Sequence, residues 1–274
     1  MKILSKISEI RELLNPARAS GKSIGVMGTS GRMHAGHQSL VQRAVDENEL
    51  AIMFWLGAAG TALYDRNWDD DRKLVEATGI QYAYLPDYAD YMPVRPNLTL
   101  TIIPQLSTGA PPMEKIEHLD AVTTSTAKLF NIFGPMRYYS GEKDWQQLAM
   151  FKRMVIDMAY DIEVIGCEVV REDDGLAMSS RNVKLTPEDR AKAPALYQAL
   201  EAGKAAIEGG ETSSAKVTDL VRRRMAEAGE VVYVHAVDAA TLQPMDRLTG
   251  DIRIIASLQL GIVPLVDNIG AVAA

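Results

Sequence analysis

The chain has 274 residues, of which 47% are hydrophobic and 24% are charged, so its composition excludes a disordered or fibrous protein. Its length is roughly 1.8 times a reference domain of about 150 residues, which favours one large domain with a smaller companion. The formal net charge of −7 argues against nucleic acid as the main partner. No apolar run approaches the roughly 18 residues that span a bilayer, so no membrane partner is predicted.

The amino-terminal segment and the cysteine content indicate the compartment. Residues 1–18 alternate charged and apolar positions at helical spacing and lack the uninterrupted apolar segment of a signal peptide. The single cysteine, Cys167, cannot form an internal disulfide, which suits a reducing environment. These features predict a cytoplasmic protein.

Short β-branched runs alternate with helical patterns through the first two-thirds of the chain. This alternation predicts βαβ units and therefore an α/β fold, a Rossmann-like doubly wound parallel sheet covered on both faces. In such sheets ligands bind beyond the carboxyl ends of the strands, which draws attention to the loops after Met27, Leu56 and Ser140. The predicted strands are 23–27, 51–56, 81–85, 98–103, 137–140 and 162–167, and the predicted helices are 37–49, 69–78, 121–130 and 144–160.

A second region begins near Thr186, where a hydroxyl N-cap, a proline in the first turn and two acidic residues predict the start of a helix. Pro194 follows closely, so this helix is expected to start late or to kink, and Gly209–Gly210 is expected to end it. The region continues with a predicted helix at 217–228 and predicted strands at 231–237, 252–260 and 262–268.

These two regions predict two domains. We expect a nucleotide-binding Rossmann-like domain over residues 1–174 and a smaller α+β domain over residues 175–274. Neither an internal repeat nor a low-complexity segment interrupts this organisation.

The first candidate functional motif is His34-Ala35-Gly36-His37, which directly follows a predicted strand and opens a predicted helix. Gly36 lets backbone approach a ligand, and the free amides of a first helical turn favour an anion. The imidazoles of His34 and His37 could then bind phosphate oxygens and stabilise charge that develops at a phosphorus centre. Metal binding and two surface histidines are the alternatives for this spacing.

Two further loops suit phosphates. In Gly141–Asp144, Lys143 offers a compact positive charge and Asp144 can accept hydrogen bonds from ribose hydroxyls, although such a loop alone is more often a helix cap. Gly175–Asn182 supplies two hydroxyls, their backbone amides and a guanidinium, which suits a polyphosphate, with an ordinary interdomain linker as the alternative. Three such loops in an acidic chain favour a nucleotide site.

Four segments in order resemble the pantothenate synthetase (pantoate–β-alanine ligase) family: HAGH at 34–37, GEKDWQQLA at 141–149, VREDDGLAMSSRNVKLTPEDRAKAPALYQAL at 170–200 and VDAATLQPMDRLTG at 237–250. The resemblance implies the fold of the His-x-Gly-His nucleotidyltransferases and a two-step joining of a small-molecule carboxylic acid to an amine. ATP and pantoate would give pantoyl adenylate and pyrophosphate, and β-alanine would then displace AMP. The resemblance also implies Mg²⁺, a small lid domain and a homodimer.

The resemblance implies roles for individual residues, each at a position that matches a family motif. Those that stabilise the transition state or hold the departing pyrophosphate would be His34, His37, Lys143, Ser179, Ser180 and Arg181. Those that hold adenosine would be Gly36, Gly141, Asp144, Val170 and Met178. The acid-binding positions would be Gln147, His118, Ser30 and Ala59, and no residue is assigned as a metal ligand.

The acid-binding half departs from the family pattern. Where the family usually has Phe-Val-Asn-Pro-x-Gln-Phe, this chain has residues 54–60, which places Ala59 at the position of the glutamine that binds pantoate. Ser30 replaces a methionine, and Arg32 adds a charge for which a surface position is favoured over the pocket. These changes predict altered acid specificity, with pantoate and β-alanine still the leading named pair.

Two other function classes fit parts of the pattern. A nucleotidyltransferase that moves AMP or CMP onto a phosphorylated small molecule would use the same His-x-Gly-His loop. A nucleotide-binding protein without ligase activity would keep the phosphate loops and lose the acid site. The leading hypothesis is the AMP-forming carboxylate–amine ligase, because the adenylation motifs are all present.

Overall fold

A computed structural model of the protein describes residues 1–56, 68–91 and 116–273 and, over residues 116–121, the backbone only. The chain divides into two compact units. The first comprises residues 1–102, 117–142 and 150–168, and the second comprises residues 103–116, 143–149 and 169–274.

The first unit is built on a parallel sheet. Its described strands are β1 (Lys2–Leu4), β2 (Ile24–Thr29), β3 (Leu50–Trp55), β4 (Tyr82–Tyr84), β5 (Met136–Gly141) and β6 (Ile162–Cys167). They are hydrogen-bonded in the order β1-β4-β3-β2-β5-β6, and every described pair is parallel. The predicted doubly wound parallel sheet is confirmed.

Helices connect these strands and cover the sheet. All six side chains of β3 are buried, as expected for a continuous apolar run in a sheet packed on both faces. On one face, Val41 and Ala44 pack in a buried cluster with Met53 and Tyr139. The described helices are α1 (Ile7–Ala19), α2 (Ala35–Glu47), α3 (Trp68–Glu76), α4 (Tyr88–Tyr91), α5 (Ile116–Phe133) and α6 (Trp145–Asp157).

The start of the chain differs from its predicted helical pattern. Residues Lys2–Leu4 form β1, which pairs with β4, and the helix begins only at Ile7. The short strand is stabilised by partners about 80 positions away, such as the carbonyl of Gln81 that accepts from the amide of Lys2, and local periodicity does not record such pairing. The strand predicted at 98–103 lies outside the described residues.

The strand order places a topological switch point beside β2. From β2 the chain proceeds to β3 and β4 on one side, and it later returns to add β5 and β6 on the other. Because all these strands are parallel, the loops that follow β2 and β5 leave the sheet at the same edge. Ligands of open α/β sheets bind at such an edge.

The second unit packs helices on an antiparallel sheet, as predicted for the smaller α+β region. Thr186 caps the first of these helices, and its side chain accepts a hydrogen bond from the amide of Asp189. Pro194 separates that helix from the next, which ends at Gly209. In the described part of this unit the helices are α7 (Pro187–Lys192), α8 (Ala195–Glu208) and α9 (Ser214–Ala226), and the strands are β7 (Glu230–Asp238), β8 (Gly250–Leu260) and β9 (Val263–Ala273).

The second unit has its own apolar core. Helix α8 approaches α9 and β8 closely at Gly203, where a Cβ atom would lie 2.6 Å from Val221 and 2.9 Å from Ile254. Strand β8 pairs with β7 on one side and with β9 on the other, both antiparallel. Across the described parts of both units, no helix is long and apolar enough to cross a membrane.

Candidate functional site

The loop after β2 has an unusual backbone that a buried carboxylate stabilises. Gly31 and Arg32 both have positive φ, of 98° and 56°, which is uncommon for a residue such as arginine. Asp71 of α3, only 4% exposed, accepts hydrogen bonds from the amides of Arg32 at 3.0 Å and Met33 at 2.7 Å. The indole of Trp55 also donates to Asp71, at 2.8 Å. These bonds fix the loop directly before His34.

His34 is the N-cap of α2, and its conformation defines its tautomer. Its Nδ1 accepts a hydrogen bond from the amide of Gly36 at 3.1 Å, so the proton of the neutral imidazole lies on Nε2. One of the first-turn amides that were expected to favour an anion, that of Gly36, is thus bound by His34. The ring of His37 lies with its centroid 4.2 Å from that of His34. The structure therefore brings the two predicted imidazoles together at a helix start.

The loop after β5 has the predicted strand-to-helix arrangement. Gly141 is the last residue of β5, a short 3₁₀ turn covers Glu142–Asp144, and α6 starts at Trp145. The ammonium group of Lys143 lies 3.9 Å from the carboxylate of Asp144, and the Lys143 side chain is 18% exposed. Gln147 is half-buried in the first turn of α6. Lys143 lines a small cavity together with Ser179 and Asn182.

The predicted polyphosphate segment follows a tight hairpin. The amide of Met178 donates to the carbonyl of Val170 at 2.9 Å, so the two residues expected near the adenine base are neighbours. Gly175, with a φ of 92°, turns the hairpin. The hydroxyl of Ser179 then accepts from the amide of Arg181 at 3.2 Å. The half-buried Ser179, Ser180 and Arg181 therefore lie in one compact turn.

Two ion pairs stabilise this hairpin against helix α7. The guanidinium of Arg190 donates to Glu172 at 2.5 Å and to Asp174 at 2.6 Å. The hydrogen bond from Arg190 lowers the pKa of the Asp174 carboxyl, so that carboxyl is ionised at neutral pH. Asn182 also binds the hairpin, through its side-chain amide and the carbonyl of Ala177 at 3.0 Å.

The predicted site residues are distributed over both units. His118 lies on α5, but its side chain, like all of Ala59, falls outside the described residues, and Ser30 is exposed in the loop after β2. Among the described residues, no group of three histidine, cysteine, aspartate or glutamate side chains could hold a metal ion. The first unit carries Ser30, His34, Gly36, His37 and Gly141, and the second carries Lys143, Asp144, Gln147, Val170, Met178, Ser179, Ser180 and Arg181.

Sequence reasoning missed several polar residues that support these loops. Asp71 belongs to an acidic run at a helix start, where such residues are usually solvated. Asp267 and Asn268 fall in a predicted strand and are 1% and 2% exposed. A polar pair inside an otherwise apolar strand is the one signal that could have identified Asp267 and Asn268.

Comparison with known proteins gives one consistent result. A family model described as pantoate-beta-alanine ligase matches residues 2–270. Pantothenate synthetase 1 of Frankia alni is 42% identical over 281 residues, which cover 97% of this chain and 96% of that protein. The crystal structure of pantothenate synthetase from Thermus thermophilus matches with a TM-score of 0.86 at 31% identity, covering 98% of this chain and 99% of that one.

A more distant structure shares the fold. It is the pantoate-beta-alanine ligase of Francisella tularensis, complexed with beta-gamma ATP and β-alanine, with a TM-score of 0.72 and 23% identity. That match covers 98% of this chain and 97% of the other. The matches therefore extend over both units rather than over the nucleotide loops alone.

Proposed function

Because the chain belongs to the pantoate–beta-alanine ligase family, we propose that it joins pantoate to β-alanine in an ATP-dependent, AMP-forming reaction. The observation that carries the proposal is the presence of the complete set of adenylation motifs on a chain matched over residues 2–270. The geometry of His34, with the proton of its imidazole on Nε2, supports it.

In the first step, a pantoate carboxylate oxygen attacks the α-phosphorus of ATP. A phosphorus–oxygen bond forms to the acid, and the bond to the bridging oxygen of the β-phosphate breaks, which releases pyrophosphate. A carboxylate is already ionised at pH 7, so this step needs charge stabilisation more than a general base. We assign that stabilisation to the Nε2–H of His34, to His37 and to the ammonium group of Lys143.

The departing pyrophosphate and the nucleoside have their own proposed partners. Ser179, Ser180 and the guanidinium of Arg181 bind the pyrophosphate, because hydroxyls, amides and a guanidinium match its oxygens. The neighbouring backbone of Val170 and Met178 lies against the base, and the exposed carboxylate of Asp144 accepts from the ribose. Gly36 lies in the first turn of α2 and Gly141 at the end of β5, and because neither has a side chain, they leave space for the nucleoside.

Mg²⁺ enters the proposal with ATP. Protein sites for this ion commonly supply few carboxylates and use substrate phosphates and water for the remaining positions. We propose that the phosphates of ATP and water supply most of the ligands of this ion. When bound, the ion neutralises charge on the polyphosphate.

In the second step, the amine of β-alanine attacks the acyl carbon of the adenylate. A carbon–nitrogen bond forms, the carbon–oxygen bond to AMP breaks, and the amine loses a proton. An acyl adenylate hydrolyses readily, so water must be excluded until the amine attacks. We propose the smaller domain, residues 175–274, as the lid that closes over the adenylate.

Oxygen labelling tests this sequence of bonds. With ¹⁸O in the pantoate carboxylate, the bridging oxygen of the adenylate leaves with AMP, so AMP should carry one labelled oxygen. Labelled AMP with an equal amount of pyrophosphate supports the adenylate route. Label in inorganic phosphate, with ADP as the nucleotide product, would overturn it.

Altered acid specificity is the second candidate, and the sequence at Ala59 favours it. A site that lacks a hydrogen-bonding amide binds a hydroxy acid less well by the worth of a buried polar contact, about 1–3 kcal/mol. Comparing kcat/KM for pantoate with that for other hydroxy and dicarboxylic acids tests this candidate. The homodimer and the cytoplasmic location stay predictions, and analytical ultracentrifugation tests the dimer.

A further inference from the structure

Strand β9 of the second unit contacts both of the nucleotide loops carried by that unit. The side-chain amide of Asn268 donates to the backbone carbonyl of Lys143 at 2.7 Å. The carboxylate of the preceding residue, Asp267, binds Arg171 at the base of the hairpin before Ser179. Asp267 and Asn268 are 1% and 2% exposed, so these bonds are made away from solvent.

The orientation of the Asn268 amide is determined by its partners. Its oxygen accepts from Nε of Arg253 at 2.7 Å, and its nitrogen donates to the carbonyl of Lys143. A guanidinium only donates and a carbonyl only accepts, so the flipped amide would lose both bonds. The backbone amide of Asn268 is also fixed, because it donates to Asp267 at 2.8 Å.

Arg253 is itself held against the start of helix α6. Its guanidinium carbon lies 3.5 Å from the ring centroid of Trp145, and the indole nitrogen of Trp145 donates to the carbonyl of Ala239 at 2.8 Å. Gly270 leaves the space for Arg253, since a Cβ atom at Gly270 would lie 2.7 Å from the guanidinium. One buried arginine thus contacts both Trp145, two positions after Lys143, and Asn268, which binds the Lys143 backbone.

Asp267 fixes the second loop in a comparable way. Its two carboxylate oxygens accept from Arg171 at 2.6 and 3.2 Å. Arg171 also donates to the carbonyl of Gly175 at 3.1 Å and lies 3.6 Å above the ring of Tyr197. The neighbouring residues Asp267 and Asn268 therefore position the turn of the hairpin and the backbone of Lys143 from one point on β9.

We propose that Asn268 is a positioning residue that holds the Lys143 backbone so that its ammonium group meets the charge developing on the transferred phosphate. This inference rests on the proposed function, because it needs Lys143 to act in adenylation. Misplacement of a catalytic group by about 1 Å can cost on the order of 10²-fold in rate. Asn268 binds the backbone carbonyl of Lys143, so we place its effect on the reaction in the position of Lys143.

The test is Asn268→Asp, measured as pantoate-dependent pyrophosphate release. This substitution keeps an oxygen for Arg253, and the added charge pairs with the guanidinium, so we expect the variant to fold. It replaces the donor to the Lys143 carbonyl by a second oxygen, which repels that carbonyl. We expect kcat to fall at least about tenfold. We also expect the factor by which kcat falls to exceed the factor by which KM for ATP rises. Unchanged kcat would overturn the proposal.

A second background separates positioning from general structural support. In Lys143→Ala, adding Asn268→Asp should produce no further loss, because the two substitutions remove the same contribution. A further loss of the same factor in this background would show that Asn268 acts independently of Lys143 and would overturn the proposal. Should Asn268→Asp fail to fold, Asn268→Ser carries the same comparison, because its hydroxyl is too short to reach the carbonyl.

The matched control on the same strand is Val272→Thr. Val272 lies on β9 like Asn268, but its side chain is 63% exposed. Its replacement should therefore leave kcat and KM unchanged. Wild-type protein that releases no pyrophosphate with pantoate would defeat the proposed function itself. Active wild type with an unaffected Asn268→Asp variant would defeat only the positioning role.

Discussion

His34 combines two roles in one side chain. Its Nδ1 caps α2 by accepting from the amide of Gly36, and its Nε2 carries the proton as a hydrogen-bond donor. The cap fixes the tautomer, and the tautomer defines which ring nitrogen can donate to a phosphate oxygen. In the proposed reaction, helix stability and catalysis are therefore linked at His34, and substitutions can separate them.

His34→Ala should lower both activity and stability. We expect kcat for pyrophosphate release to fall about 10²–10³-fold, as for a lost transition-state donor, and the free energy of unfolding to fall by about 1 kcal/mol. His34→Asn is the matched variant, because asparagine caps helices well but lacks the donor at the Nε2 position. It should restore stability without activity. Recovery of activity in His34→Asn would show that His34 acts as a cap alone.

Asp71 of α3 binds the loop between β2 and α2, directly before His34. Its carboxylate accepts hydrogen bonds from two backbone amides and one indole N–H, all within 3.0 Å. Asp71→Asn turns one acceptor into a donor that opposes a buried N–H. The expected loss is about 1–3 kcal/mol of unfolding free energy, with a reduced kcat because the loop leads directly to His34.

Trp55→Phe is the control for the Asp71 substitution. It removes the indole donor, together with part of a buried ring that packs on Trp68, and leaves both loop amides bound, so its effect on kcat should be much smaller than that of Asp71→Asn. Urea denaturation and pyrophosphate release measure the two quantities. Full activity in a destabilised Asp71→Asn protein would show that catalysis does not depend on this loop conformation.

The hairpin over residues 170–178 has a geometry that requires glycine at its turn. Gly175 combines a φ of 92° with a position where a Cβ atom would lie 2.6 Å from the ring of Tyr197. That ring stacks on Arg171, which binds Asp267. A side chain at Gly175 would therefore disturb the packing that precedes Ser179.

Gly175→Ala should cost more than the same change at Gly210. Gly210 has a φ of 96°, and apart from Gly210 itself and its two chain neighbours no described residue has an atom within 4 Å of the place that a Cβ would take. It therefore isolates the backbone cost, about 1 kcal/mol. Gly175→Ala adds the displacement of Tyr197 and should also raise KM for ATP. Equal losses of unfolding free energy in the two variants would contradict the packing described at the hairpin.

Strand β7 provides a pH-dependent contribution to stability. Burial, together with the positive charge of Arg222, lowers the pKa of His235 below its ordinary value of 6.5. As pH falls through 6.5 toward the lower pKa of the folded protein, the unfolded chain binds the proton before the folded one does. The free energy of unfolding therefore decreases over this pH range. The slope is at most about 1.4 kcal/mol per pH unit for one proton.

His235→Phe should remove this contribution and keep the stacking on Tyr233, whose ring centroid lies 5.5 Å away. Unfolding free energies of both proteins at pH 8 and pH 5.5 provide the measurement. The wild type should lose more stability on acidification than His235→Phe does. Parallel losses in the two proteins would show that the proton on His235 makes no difference to folding.

At the scale of the whole molecule, the architecture could largely be predicted from local patterns. Continuous apolar runs such as β3 and alternating helical segments are sufficient to predict a parallel sheet with helices on both faces. Thr186 and Gly209 also acted as predicted at helix ends, because capping depends on residues a few positions away. The motif of His34 and His37 could be placed at a strand end because it directly follows a predicted strand in the sequence.

The features that could not be predicted depend on partners distant in sequence. Strand β1 exists because β4 pairs with it, and Asp71 is buried because loop amides and Trp55 surround it. The part that Asn268 plays depends on the hydrogen bonds of its side chain with Arg253 and with the carbonyl of Lys143. A polar residue in a sequence does not show whether such partners exist, because they come together only in the folded chain.

The most direct test of the proposed ligase is pyrophosphate release from ATP and Mg²⁺ by the purified protein, with and without pantoate, followed by addition of β-alanine. We predict pyrophosphate release only with pantoate, and an amide product with an equal amount of AMP after the amine is added. Turnover with another acid and none with pantoate would contradict the assigned substrate. No AMP with any acid in a panel of hydroxy, dicarboxylic and short-chain acids would contradict the ligase itself.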